Sequence, residues 1–191
     1  MPLDAMTEIP DETLLVLYAN GDAAAARTLT SRLTPRVLAL ASRMLGDRAE
    51  AEDVAQEAML RLWRIAPDWR SGEAQVSTWL YRVASNLCTD RLRKRRGKSV
   101  ALDAIPEPED DTPRVDQRME TDERRDALKA ALAELPERQR LAVVLRHLEG
   151  LTNPDIAQIM EISVEAVESL TARGKRALAA LLHAQKDALG L

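Results

Sequence analysis

Phenylalanine is absent from this 191-residue chain, and the aromatic content is limited to three tryptophans and two tyrosines. A core so poor in rings must be filled by aliphatic side chains. With Ala, Leu, Arg and Glu dominating, the composition is that of helices packed on helices. No run of alternating β-branched residues is long enough to propose a sheet. The single cysteine, Cys88, excludes an internal disulfide, and with only His147 and His183 beside it the chain lacks the donors of a zinc site. Gly-rich phosphate loops, a Ser-His-Asp order and metal-ligand spacings are also missing, so no catalytic residue, metal or cofactor is expected and the chain does not read as an enzyme. No window approaches the ~18 apolar residues of a membrane span. The start, MPLDAMTEIPDE, lacks a basic stretch followed by an apolar core, so a cytoplasmic protein without membrane insertion is expected.

Against these absences stands one concentration of charge. The stretch VSTWLYRVASNLCTDRLRKRRGK, residues 76–98, places Trp79, Leu80, Val83, Ala84, Leu87 and Leu92 at helical spacing, then turns cationic. Arg91, Arg93, Lys94, Arg95, Arg96 and Lys98 face one acid, Asp90. Complementing a helix dipole explains one or two cations; a run of this density points to phosphate. The formal net charge of −4 hides this patch, because residues 99–126 hold ten acids against four bases. Cys88 lies on the apolar side of the same helix and reads as a small buried hydrophobe rather than a redox sensor.

Taken in order, a disordered-looking start, 1–10, ends at Pro10, where Asp11 is expected to cap a helix with Leu14, Leu15, Leu17 and Tyr18 on its apolar side. Asn20-Gly21-Asp22 ends it. A second helix spans about 23–44, where Pro35 predicts a kink or break, and Gly46 closes it. Asp47 and Glu50 resemble a capping box for a third helix whose core face is Val54, Ala58, Leu62 and Ile65. Its opposite face shows Asp53, Gln56, Glu57, Arg61 and Arg64. The segment 67–74 is a loop holding Trp69, a large ring that needs either a cover or something to stack on.

Residues 99–121, with three prolines and strong acidity, read as a flexible linker. Its roughly 22 residues span at most about 75 Å extended and nearer 25 Å as a coil, so the flanking domains can dock or stand apart. A helix from about Asp122 to Leu135 follows, then one from Pro136 that stops at Gly150. Thr152, with Asp155, caps NPDIAQIM; Ser163 caps the last helix. Two helices joined by a tight turn at Glu161-Ile162, sharing Ile156, Ile159, Ile162, Val167 and Leu170, form a helix-turn-helix pattern, against the plainer alternative of a helical hairpin.

The segments AEAEDVAQEAMLRLW at 49–63, STWLYRVASNLCTDRLRKRR at 77–96 and LPERQRLAVVLRHLEGLTNPDIAQIMEISVEAVESL at 135–170, in this order and spacing, resemble the extracytoplasmic-function sigma factors of bacterial RNA polymerase, in the sigma-70 family. The resemblance implies an all-α fold of two small helical domains joined by the acidic linker. Region 2 would occupy 11–98 and region 4, the helix-turn-helix, 122–185, with 186–191 as a tail. It implies core polymerase binding through Asp53, Gln56, Glu57, Arg61 and Arg64 on the beta-prime clamp helices, with the beta flap as a further contact. Recognition and melting of the −10 element would fall to Trp69, Arg70, Asn86, Arg91, Arg93, Lys94, Arg95 and Arg96. The −35 element would be met by Arg146, Thr152, Ser163, Glu165, Ala166, Ser169, Arg173, Lys175 and Arg176. Glu168 and Leu170 stand where relatives often carry basic residues, which implies an unusual −35 preference or a weaker duplex contact. The partners so implied are core polymerase, promoter DNA and an anti-sigma factor that holds the protein inactive until a stress response. A different class of function, a sigma-like decoy that titrates the anti-sigma factor, has no need of the base-reading segment. A general helix-turn-helix repressor would leave the first domain without a role.

Overall fold

The computed structural model describes residues 9–70, 72, 74–99 and 119–188, which form helices and the turns between them. The first group comprises α1 (Asp11–Ala19), α2 (Ala23–Leu45), α3 (Arg48–Ile65), a single 3-10 turn at Ala66–Asp68, and α4 (Val76–Ser99). The second comprises α5 (Met119–Glu134), α6 (Glu137–Val143) continued by a π turn over Val144–Leu148, α7 (Asn153–Met160) and α8 (Val164–Ala188).

Local chemistry sets most boundaries. Asp22 accepts from the backbone N–H groups of Ala24 and Ala25 at 2.8 and 3.2 Å, which starts α2. Gly46, at φ 68°, takes the left-handed conformation that ends it. Thr152 and Asp155 cap α7 reciprocally, and Ser163 Oγ accepts from Ala166 N–H at 3.2 Å at the start of α8.

Several expectations shift. Pro35 sits inside an unbroken α2. Pro10, not Asp11, occupies the cap of α1, leaving the Asp11 carboxylate to pair with Arg32 at 2.8 Å. The Asp47 carboxylate accepts from Glu50 N–H at 2.8 Å, but Glu50 does not close a box, because its carboxylate is taken by Arg95 at 2.9 Å. Pro136 precedes α6 rather than opening it. The expected linker is shorter at both ends: Ser99 belongs to α4 and 119–121 to α5, and residues 100–118 lie outside the described ones, as do 1–8 and 189–191. After Pro113 the sequence contains no further proline or glycine before α5 begins.

The two groups share a core. Leu29, Leu33, Leu40, Met44, Leu62 and Leu80 are fully buried in the first, and Leu132, Leu145, Ile156 and Ile159 in the second, within one continuous apolar cluster. Each such side chain contributes about 1.5–3 kcal/mol. Arg140 is the buried joint, donating through Nη1 to the Met44 carbonyl at 2.6 Å and through Nη2 to the carbonyls of Ala133 and Leu135. Burial depresses its guanidinium pKa.

Candidate nucleic-acid and polymerase interfaces

The exposed face of α3 carries Asp53, Gln56, Arg61 and Arg64, with Glu57 half-buried beside them. Glu57 and Arg61 pair at 2.8 Å, and the guanidinium lowers the Glu57 pKa. Beside this polar row runs a groove of about 530 Å³ whose apolar walls include Leu38, Met59, Leu60 and Trp63. Leu60 is 42% exposed. Its apolar side chain falls on the polar face of α3, out of phase with Val54, Ala58 and Leu62, a break in the pattern that is legible in the sequence.

The loop before α4 wraps a smaller cavity of about 220 Å³, lined by Ile65, Asp68, Trp69, Arg70, Ala74 and Trp79. Trp69 meets Trp79 edge to face, with ring centroids 6.0 Å apart at 87°. Both rings are half-buried against the core, so Trp79 serves packing and pocket wall together.

Along α4 the cations divide. Arg93, Lys94 and Arg96 are exposed, as is Asn86 one turn or more upstream. Arg95 turns inward, donating to the Leu45 carbonyl at 2.9 Å and pairing with Glu50. Arg91 lies 3.5 Å from Asp53, linking the cationic helix to the polar face of α3. Asp90 lies 3.7 Å from Arg93. Cys88 is fully buried, and burial pushes its thiol up to about 12.

In the second group the turn after α7 puts Glu161 in the left-handed region at φ 53°, and α8 packs Val167 onto Ile156 and Ile159. This leaves Ser163, Glu165, Ser169, Arg173, Lys175 and Arg176 exposed along α8, with Ala166 half-buried. Arg173 and Arg176 curl back to the carbonyls of Ser169 and Ala172, at 3.3 and 3.4 Å. Arg146 donates to the Leu151 carbonyl at 2.8 Å, and Thr152 is occupied as the α7 cap. A hydrogen bond from its own backbone N–H, and then one from Ser163, lower the pKa of the Glu165 carboxyl. Glu168 meets the Asn153 amide at 3.5 Å.

The two groups face one another across a cleft of about 630 Å³ that brings Asn86, Arg93 and Arg96 opposite Glu137, Met160 and Glu161. Arg96 pairs with Glu137 at 3.2 Å, and Arg82 pairs with Glu161. Deeper in the same junction, Glu149 is buried between Arg43 and the Tyr81 hydroxyl. Sequence reasoning assigned none of these carboxylates a role.

The sequence matches two family models, Sigma-70 region 2 over residues 29–98 and Sigma-70 region 4 over residues 125–178. The RNA polymerase sigma-H factor of Pseudomonas aeruginosa is 31% identical over 182 residues, covering 91% of this chain and 94% of that protein. The ECF RNA polymerase sigma-E factor of Escherichia coli is 32% identical over 181 residues, covering 90% and 93%. Among solved structures, CnrH in complex with the cytosolic domain of CnrY aligns with a TM-score of 0.68 at 26% identity, over 91% of this chain and 97% of CnrH. The sigma factor RpoE of Bartonella quintana, in complex with the anti-sigma factor NepR, shares the fold with a TM-score of 0.66 at 22% identity, over 82% and 96%. With both regions matched in order and relatives aligned over nearly their whole length, this chain belongs to the extracytoplasmic-function sigma factors of the sigma-70 family, alternative sigma factors that bind core RNA polymerase and direct transcription initiation at their promoters.

Proposed function

We propose that this sigma factor acts in the cytoplasm, catalyses no reaction of its own, and is kept silent by an anti-sigma factor until a stress signal releases it. Among the described residues no helix is long and apolar enough to cross a membrane. Region 2 takes in α1 to α4, ending at Ser99, and region 4 takes in α5 to α8, starting at Met119, in this reading, with 100–118 as an acidic tether between them. Asp53, Gln56, Glu57, Arg61 and Arg64 dock on the beta-prime clamp helices, and region 4 meets the beta flap. Trp69, Arg70 and Asn86 take −10 bases, while Arg91, Arg93, Lys94 and Arg96 serve the backbone and Arg95 braces α4 against Leu45 and Glu50. Arg146 and Thr152 hold −35 phosphate. Ser163, Glu165, Ala166, Ser169 and Arg173 lie in the major groove, flanked by Lys175 and Arg176.

The shared cleft carries this reading. Arg96 and Arg82 are paired with the region 4 carboxylates of Glu137 and Glu161, so acidic side chains stand where DNA phosphate would go. Such a closed form suits a factor that is stored inactive, and the domains must part before Asn86 meets a base. Control by a bound partner is supported by CnrH, which was solved with the cytosolic domain of CnrY on it.

Run-off transcription with purified core polymerase on genomic DNA tests the proposal, comparing wild type with Asn86→Ala and with Arg93→Ala/Lys94→Ala. Discrete transcripts lost in both variants are expected. A silent wild type that binds an anti-sigma factor tightly would instead favour the decoy.

A further inference from the structure

Glu12 lies in the first turn of α1, far from any DNA-reading segment in the chain, yet its carboxylate reaches the loop that carries Trp69. Glu12 Oε1 accepts from the indole Nε1–H of Trp69 at 3.3 Å and from the backbone N–H of Gly72 at 3.1 Å. One oxygen therefore ties the ring and the backbone of the loop together. Gly72, at φ 89°, adopts the left-handed conformation that turns its N–H inward to that oxygen. The helix supplying the carboxylate is itself anchored: Arg32 of α2 donates to the Ile9 carbonyl and pairs with Asp11, both at 2.8 Å. The Trp79 ring packs edge to face with the same indole.

We propose that Glu12 is a positioning residue for −10 recognition: it sets the plane of the Trp69 ring and the path of the loop, and so shapes the 220 Å³ cavity that accepts an unpaired base. This rests on the reading above that the Trp69 loop takes a −10 base. Base capture by a loop that must first be ordered costs side-chain and backbone entropy, whereas a wall held at three points is already in place. A wall in one fixed plane also discriminates between bases, because a ring that can rotate accommodates any of them. Glu12 touches no DNA in this arrangement.

The test measures binding of the holoenzyme to forked promoter templates whose −10 non-template strand is single-stranded and carries each of the four bases at the captured position. Wild type, Glu12→Ala, Glu12→Gln and Trp69→Ala are compared, with thermal melting and core-polymerase affinity recorded for each. Glu12→Ala is expected to lose about tenfold of its preference for the favoured base, the equivalent of one to two hydrogen bonds. Its affinity for core polymerase should stay within about twofold of wild type, a change worth less than one hydrogen bond. Glu12→Gln, whose amide oxygen still accepts from both donors, should restore the preference. If Glu12→Ala keeps the wild-type preference while Trp69→Ala loses it, the positioning role is wrong and the pocket stands. If Trp69→Ala also keeps it, the −10 reading of the loop fails first.

Discussion

The hydroxyl of Tyr81 donates a 2.9 Å hydrogen bond to Glu149 Oε2, joining region 2 to region 4 across 68 residues of chain. The other carboxylate oxygen of Glu149 receives Arg43, and the Glu149 side chain is only 7% exposed. Burial and the neighbouring carboxylate both raise the Tyr81 pKa, so the phenol remains a donor throughout the physiological range. Glu149 directly follows the π turn over Val144–Leu148, its backbone N–H bonded to the Val144 carbonyl at 2.9 Å.

Glu149→Ala should open the closed form. It leaves the Tyr81 hydroxyl and the Arg43 guanidinium without their shared acceptor, a loss of about 1–3 kcal/mol. Small-angle scattering of the free protein should then show a larger radius of gyration than wild type. An unchanged radius would mean that the apolar contacts alone hold the domains together.

Arg140→Met removes three donated hydrogen bonds to the carbonyls of Met44, Ala133 and Leu135. Urea unfolding should register a loss of about 3 kcal/mol, since buried carbonyls are left unpaired. Arg140→Lys should recover little of it, because an ammonium lacks the planar fork that serves acceptors on both sides.

Gly174→Ala should destabilise, although alanine is the better helix former by about 1 kcal/mol. A Cβ there would lie 2.6 Å from Val143 Cγ2 and 3.1 Å from the Gln139 carbonyl, so α6 and α8 would have to separate. Overpacking of this kind costs about 1–3 kcal/mol, and each kcal/mol lowers Tm by roughly 2–4 °C in a chain of this size. Combining it with Val143→Ala should restore part of the loss.

The raised thiol pKa of Cys88 makes stability fall at high pH. The folded state favours the neutral thiol, so the contribution is complete below the ordinary value of 9.0 and is lost as pH rises towards about 12. Cys88→Ala should lose less stability than wild type across that window. At neutral pH a thiol reagent should label wild type only after denaturation, and labelling of the native protein would contradict the burial.

Arg93 and Arg95 should separate in their effects. Arg93→Ala is expected to weaken promoter binding and reduce the slope of log K against log salt by about 0.9, the signature of one lost phosphate contact. Arg95→Ala should reduce stability first, because its guanidinium holds the Leu45 carbonyl and Glu50. Salt titration of promoter binding, together with urea unfolding, distinguishes the two.

Much of the fold was legible because its punctuation is local. Asp22, Gly46, the Thr152–Asp155 pair and Ser163 act on backbone groups within four residues, and such signals do not depend on the rest of the chain. Apolar periodicity likewise located the buried face of α3 at Val54, Ala58 and Leu62. Periodicity placed the cationic run on α4 but not its division, because whether an arginine faces DNA or its own domain depends on what lies beside it. Arg95 found Glu50 45 residues away, and that pairing in turn displaced the capping box expected at Asp47 and Glu50.

By itself, then, the sequence determined an all-helical chain of two units, where most helices start and stop, and the family whose motifs it carries. Those properties follow from hydrogen bonds and side-chain spacing within a few turns of helix. Tertiary structure alone decided that Glu12 would hold Trp69 across 57 residues, that Glu149 would reach Arg43 across 106, and that Gly174 would admit α6 against α8. Each of these pairs partners that no local periodicity connects, and they meet only because burying the common apolar core brings their helices together.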